Sequence, residues 1–298
     1  MAALFILSLL ESATVLTRDL LPNLPAAVLP PLQHAAMTFA CFGLIAAITA
    51  VIRQRRMPSL SARMLAVITG LTLFAIPAAL SAIAARSIPP LTIAALESLA
   101  PLFCILFDPY LPSSLPHQES RYGILPPLIA FSGVLLIFPV FVPSSYTVAL
   151  GFALALFAAL SLGIGNCLIV RVAASSSAPA ASAAITSLSA ACLLGLLSAF
   201  LEEPRLHADL LTTPTILLFL TELLALALLF WLARRISPTR LVTRVFWTLL
   251  LPILIEALAL SIPLTFRSWA GLALMASGSI ALLLSSRQTA ASSGLSLH

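Results

Sequence analysis

The residues with chemistry to offer are the ionisable ones buried in apolar runs. Four glutamates qualify: Glu11, Glu97, Glu222 and Glu256. A charge at the centre of a membrane helix costs about 2.5–3.5 kcal/mol on insertion scales, so such a residue faces a bundle interior or a wet cavity. No basic residue is expected at equal depth, so each carboxylate must take up a proton or be held by interior Ser, Thr or Asn. Glu97 precedes Pro101 by four residues, which puts both near one helix face, and the carbonyl that loses its bond to Pro101 is that of Glu97 itself. The pair reads as a polar cavity lining or as a kink with a neutral glutamate. Pro252 and Glu256 repeat it in reverse order. Glu222 is central in its run, and Trp231 beyond it offers a cation–π face or an interfacial anchor. His34, one turn into an apolar run, either titrates near physiological pH or touches interfacial water at a helix end. Arg240 and Arg244, four residues apart, are expected to snorkel to headgroups; the alternative is that Arg244 attracts an anionic substrate.

These residues need elements to position them, and composition says which kind. The chain has 298 residues, 61% of them hydrophobic and 8% charged, and a mean hydropathy of +1.12. A soluble domain carries roughly a quarter of its residues charged, so the solvent facing most of this protein is lipid. All 15 basic residues are arginine. Arg53, Arg55 and Arg56 form the densest group, directly after an apolar run. That placement fits a membrane flank rather than a nucleic-acid surface. Cys41, Cys104, Cys167 and Cys192 lie in apolar stretches without CxxC spacing and read as buried thiols. The N-terminal run lacks a basic start and contains Glu11, so it reads as a helix rather than a signal peptide.

Apolar runs between short polar breaks predict an all-α polytopic membrane protein of about ten transmembrane helices, roughly 2–19, 28–52, 62–85, 89–107, 122–142, 147–171, 178–201, 214–233, 238–261 and 266–285. Pro30-Pro31, Pro89-Pro90 and Ser237-Pro238 mark helix starts, where the first turn lacks partners anyway. Pro101 and Pro252 fall inside spans and are expected to bend them. With the N-terminus cytoplasmic, inside segments hold Arg53, Arg55, Arg56, Arg63, Arg121, Arg171, Arg234, Arg235, Arg240, Arg244 and Arg287, against Arg18, Arg86, Arg205 and Arg267 outside. That bias is the one the positive-inside rule expects.

The two halves also look alike. Ala85-Arg86-Ser87-Ile88-Pro89 is echoed by Ala233-Arg234-Arg235-Ile236-Ser237-Pro238, and Pro126 to Gly133 (PPLIAFSG) by Gly271 to Gly278 (GLALMASG). Both echoes imply an offset of about half the chain. Five helices per half would set the copies in the membrane with opposite polarity, as inverted repeats 1–142 and 147–285, followed by a short cytoplasmic tail, 286–298. The helix order, the ARSIPP and ARRISP turns and the small-residue final helices resemble the EamA-like family of the drug/metabolite transporter superfamily. That resemblance implies two inverted five-helix repeats, cytoplasmic termini and transport of small metabolites. The chain departs from the family pattern in carrying Gln33-His34 where an arginine is common. The run LLESATVLTRD around Glu11 is also similar to the first helix of small multidrug resistance transporters. This second resemblance implies a proton or cation site at Glu11, against a protonated glutamate bonded to a neighbouring helix. At the corresponding place the second half has no acid, only Ser161, Asn166, Gly163 and Gly165. Together with Ala158, Ala273, Ser277 and Gly278, these small residues are expected to allow close helix packing.

The expectation is therefore a secondary transporter, not an enzyme, in a plasma (bacterial inner) membrane. Its partners are a small-molecule substrate, membrane lipid and protons, and no nucleic acid. Without GxxxxGK[ST], HExxH or GxSxG, the chain calls for no cofactor, metal or nucleotide. The other readings are a non-transporting membrane subunit or sensor and, less well supported, a membrane-embedded enzyme.

Overall fold

A computed structural model describes residues 2–20, 30–53, 58–111, 123–138, 145–202, 213–259 and 264–292. Every regular element among them is helical: α1 (Ala2–Leu20), α2 (Pro31–Arg53), α3 (Leu60–Gly70), α4 (Ile76–Ala84), α5 (Pro90–Glu97), α6 (Ala100–Phe107), α7 (Leu125–Ile137), α8 (Tyr146–Ser175), α9 (Pro179–Leu201), α10 (Thr213–Ala233), α11 (Pro238–Val242), α12 (Arg244–Ala259) and α13 (Phe266–Ser292). A π-helical turn, Leu71–Ala75, joins α3 to α4, and a 3-10 turn, Asp108–Tyr110, ends α6. Eight of the described stretches are long and apolar enough to cross a membrane. Two shorter apolar helices, Ala2–Ala13 and Leu125–Ile137, accompany them. Bulky side chains such as Ile48, Val51, Phe200 and Phe266 lie exposed on the outer faces. Water would penalise such a surface and lipid does not, so the helices fit an integral membrane protein.

Helix starts follow the prolines: Pro31, Pro90 and Pro238 each open a helix, where a missing N–H costs nothing. The two interior prolines differ in their surroundings. Pro101 does not kink a continuous helix; the chain breaks before it, at Ser98–Leu99, and Pro101 lies in the first turn of α6. Pro252 sits inside an uninterrupted α12, and the break comes earlier, at Thr243. An unpredicted irregularity precedes Pro77, which cannot donate to the Leu73 carbonyl. The chain widens there, with the N–H of Ile76 donating to the Leu71 carbonyl. The Ser161 hydroxyl of α8 donates to the neighbouring Thr72 carbonyl at 2.8 Å. The last helix also outruns its predicted end at 285 and reaches Ser292, so the expected tail is helical over its described part. Residues 293–298 lie outside the described residues, as do the side chains of Arg18, Arg55, Arg56, Arg121, Arg205 and Arg287.

Small residues set the crossings. α7 and α13 pack face to face, and a Cβ on Gly133 would fall 2.5 Å from the Gly271 carbonyl oxygen. One on Gly278 would fall 2.6 Å from the Pro126 oxygen. α8 rests on the π turn between α3 and α4 through Gly165, whose added Cβ would meet the Leu73 backbone at 2.5 Å. It rests on α6 through Gly163, whose Cβ would meet the Ala100 oxygen at 2.8 Å. α1 packs on α10 and α12, and α2 on α9. Glu202, just past α9, accepts from the N–H groups of Leu32 (3.0 Å) and Gln33 (3.1 Å). The carboxylate satisfies free donors in the first turn of α2, where negative charge is favoured. This tie holds the helix that carries His34.

Candidate functional site

Six structural elements converge on a cavity of about 280 Å³. Glu11 enters from α1, His34, Thr38 and Phe39 from α2, and Leu73 and Phe74 from the π turn. Leu162 of α8, Glu222, Ala225, Leu226 and Leu229 of α10, and Arg244 of α12 complete the lining. The walls are mainly apolar with a few convergent polar groups, which is the usual make-up of a small-molecule site.

The polar groups form two clusters. In the first, the Arg244 guanidinium Nη1 donates to Glu11 Oε1, joining α12 to α1. Arg244 is 7% exposed, and its Nε has no hydrogen-bond partner among the described residues. In the second, Glu222 Oε2 lies 2.9 Å from His34 Nε2 and accepts from the Thr38 hydroxyl at 2.7 Å. The Thr38 hydroxyl is also 3.1 Å from the His34 carbonyl one turn back. Phe219 sets an edge against the imidazole, with centroids 4.8 Å apart. Phe39 and Phe74 meet at 4.6 Å and add aromatic wall.

Four of the residues singled out from sequence thus come together: Glu11, His34, Glu222 and Arg244. Two expectations about them are corrected. A basic residue does lie as deep as Glu11, namely Arg244, because the break at Thr243 starts α12 inside the bundle rather than at its edge. For the same reason Arg244 does not snorkel. Nor does His34 face the surrounding solvent at its helix end: it is 5% exposed and lies 2.9 Å from Glu222.

The other candidates lie apart. Glu97 accepts a hydrogen bond from Ser81, between α5 and α4, and does not line the cavity. Glu256 is half-buried on α12 and is also outside the lining. Asn166 is buried, but its amide nitrogen donates to Leu162 in its own helix at 2.7 Å. Trp231 is 43% exposed, with the Arg235 guanidinium 4.2 Å over its ring. Its cation–π partner is therefore a side chain on the outer surface. Cys104 and Cys167 are buried, with their sulfurs 3.0 Å apart, whereas Cys41 and Cys192 are exposed, contrary to expectation. Sequence reasoning missed Thr38, although its place four residues after His34 already puts it on the same helix face. It also missed Phe39 and Phe74, which carry no polar signal.

A solved crystal structure shares this fold. It superposes at a TM-score of 0.73 over 97% of each chain, with 18% sequence identity. In all, 26 chains of solved structures match. No family model and no curated protein matches the sequence. At 18% identity the likeness speaks for the fold alone.

Proposed function

We propose that the chain is a secondary transporter of the EamA-like kind. It moves a small organic metabolite across a bacterial plasma membrane by alternating access, with both termini cytoplasmic. The observation that carries this reading is the cavity: apolar membrane helices enclose a space lined by Glu11, Arg244, His34 and Glu222. Ionisable groups are kept at such depth where they serve a substrate or ion pathway. The interrupted helices α5–α6 and α11–α12, and the π turn at the cavity wall, are further support, since carriers build midplane sites from discontinuous helices.

Ten helices in two inverted repeats, 1–142 and 147–285, form part of the same proposal. The α7–α13 contact favours it. If Pro126 corresponds to Gly271 and Gly133 to Gly278, the contact of Gly133 with Gly271 maps onto that of Gly278 with Pro126. Two-fold exchange of a self-complementary contact has this form. The pairing of α1 with α12 alongside that of α8 with α6 is consistent with the same exchange.

The test is a thermal-shift screen of purified protein against amino acids, nucleosides, sugars and organic cations, followed by flux in proteoliposomes. A bound substrate stabilises the folded state by mass action. The expected result is saturable flux of a stabilising ligand, with at least a tenfold loss in Arg244→Ala. A ligand that binds but is never moved would assign the chain to a sensor or subunit instead.

A further inference from the structure

The seam between α6 and α8 is built in rungs. Three contacts along it join residues 63 positions apart. Gly163 lies so near Ala100 that an added Cβ would stand 2.8 Å from the Ala100 carbonyl oxygen. Cys167 and Cys104 hold their sulfurs 3.0 Å apart. Arg171 Nη2 binds Asp108 Oδ1 at 2.7 Å, where the 3-10 turn ends α6. A constant offset means that the two segments run in the same direction. The rungs stand one helical turn apart on a single face of each.

The thiols form the middle rung, so drawing them apart would strain the rung on either side. The Cys167 thiol also lies 3.4 Å from the Cys104 carbonyl oxygen, against the main chain of its partner residue. Both cysteines are fully buried. Two buried thiols can serve simply as small hydrophobes joined by a weak S–H···S contact. Here the sulfurs are closer than in ordinary van der Waals contact, and a small further approach brings them to bonding distance. A route to them also exists. Leu162 packs against the cluster that holds both cysteines and lines the cavity as well. A single layer of side chain therefore lies between the cavity and the thiols, thin enough for a small uncharged oxidant to pass.

We infer that Cys104 and Cys167 are an oxidation site, at which a small hydroperoxide joins the two thiols in a disulfide that staples α6 to α8 within one chain. One sulfur attacks a peroxide oxygen and the O–O bond breaks. The thiol proton leaves with the departing hydroxyl as water, and the sulfur becomes a sulfenic acid. The second sulfur then attacks the first, the S–O bond breaks, and a second water carries off the remaining thiol proton. Two thiols are oxidised by two electrons and one peroxide is reduced to two waters. The new bond closes the chain between the cysteines into a loop, which restricts the unfolded state and favours the folded one. None of this depends on the transport reading.

The experiment treats full-length protein in detergent with hydrogen peroxide, raised until methionine sulfoxide first appears. Cys41→Ala and Cys192→Ala are introduced so that the exposed thiols take no part. Remaining thiols are capped with N-ethylmaleimide in denaturant, and the digested chain is mapped by mass spectrometry. The expected result is an intrachain cross-link between the peptides carrying Cys104 and Cys167, with an intact mass lower by two hydrogens. Dithiothreitol added to the unfolded chain should return both thiols. The cross-linked protein should unfold at a temperature higher by about 3 °C or more. Cys104→Ser in the same background should show neither the link nor the rise. The unaltered chain should form the same cross-link, which its peptide map separates from any bond to Cys41 or Cys192. Two thiols still open to capping at the end of the treatment would overturn the inference. So would sulfinic or sulfonic acid in place of the link, a link only between two chains, a link that leaves the unfolding temperature unchanged, or the same rise in Cys104→Ser.

Discussion

Two seams of the molecule have the same construction and different contents. Each joins an unbroken helix to the second piece of a broken one: α1 against α12, and α8 against α6. At the first, the residue that opens the helix after the break is Arg244, and it reaches across to Glu11. At the second, the residue in that place is Ala100, and it meets Gly163 so closely that an added Cβ would lie 2.8 Å from its carbonyl oxygen. The second seam continues through the Cys104–Cys167 contact. It ends where Arg171 binds Asp108 Oδ1 at 2.7 Å and the Asp108 carbonyl at 2.8 Å. Both seams therefore carry an arginine–carboxylate pair. Arg171 is tied to main chain as well, at the end of the helix, whereas Arg244 faces a cavity. A helix break exposes backbone and opens space, and a small residue or a long polar one can fill that space. The first filling closes the joint, and the second leaves a polar side chain facing a cavity.

The largest effect that would break this contrast is expected at Arg244. Arg244→Ala removes the guanidinium that donates to Glu11. A loss of about 3–5 kcal/mol in unfolding free energy is expected for one partner removed from a buried pair. The double variant Glu11→Gln with Arg244→Ala should recover most of that stability while flux stays lost. Recovery of flux would show that the pair is structural. At the packed seam, Gly163→Val should cost about 1–3 kcal/mol through overpacking against Ala100 and Phe103. Flux per folded molecule should stay within twofold of the unaltered protein; a tenfold loss would mean that this seam also moves in the cycle. Arg171→Lys retains charge but shortens the reach of the one nitrogen, Nη2, that makes the bonds to Asp108, and a loss of about 1 kcal/mol is expected. Flux per folded molecule should not change, since Arg171 lies outside the cavity lining. Thr38→Val sits lowest, near 1 kcal/mol or less for one hydrogen bond. Its informative readout is flux per folded molecule, which should fall because Glu222 loses the donor that holds it in the cavity wall.

Much of this was legible along the chain. Lipid-facing helices follow from composition, helix starts from Pro31, Pro90 and Pro238, and close crossings from Gly133, Gly163, Gly165 and Gly278. Glu11, His34, Glu222 and Arg244 each stand out alone as ionisable residues in apolar context. Their pairing does not. Glu11 and Arg244 are 233 positions apart, and His34 and Glu222 are 188 apart. Hydropathy is a local property and says nothing of which distant helix faces which. The depth of Arg244 was misread because the break at Thr243 has no proline or glycine beside it, and the proline that was visible, Pro252, is absorbed into a continuous helix.

Sequence alone therefore determined the solvent, the element type and the inventory of charges, because burial cost and hydropathy act residue by residue. Only the tertiary structure decided which charges cancel. Coulombic pairing depends on distance through space, and the packing of α1, α2, α10 and α12 around one cavity sets Arg244 against Glu11 and sets His34 and Thr38 against Glu222.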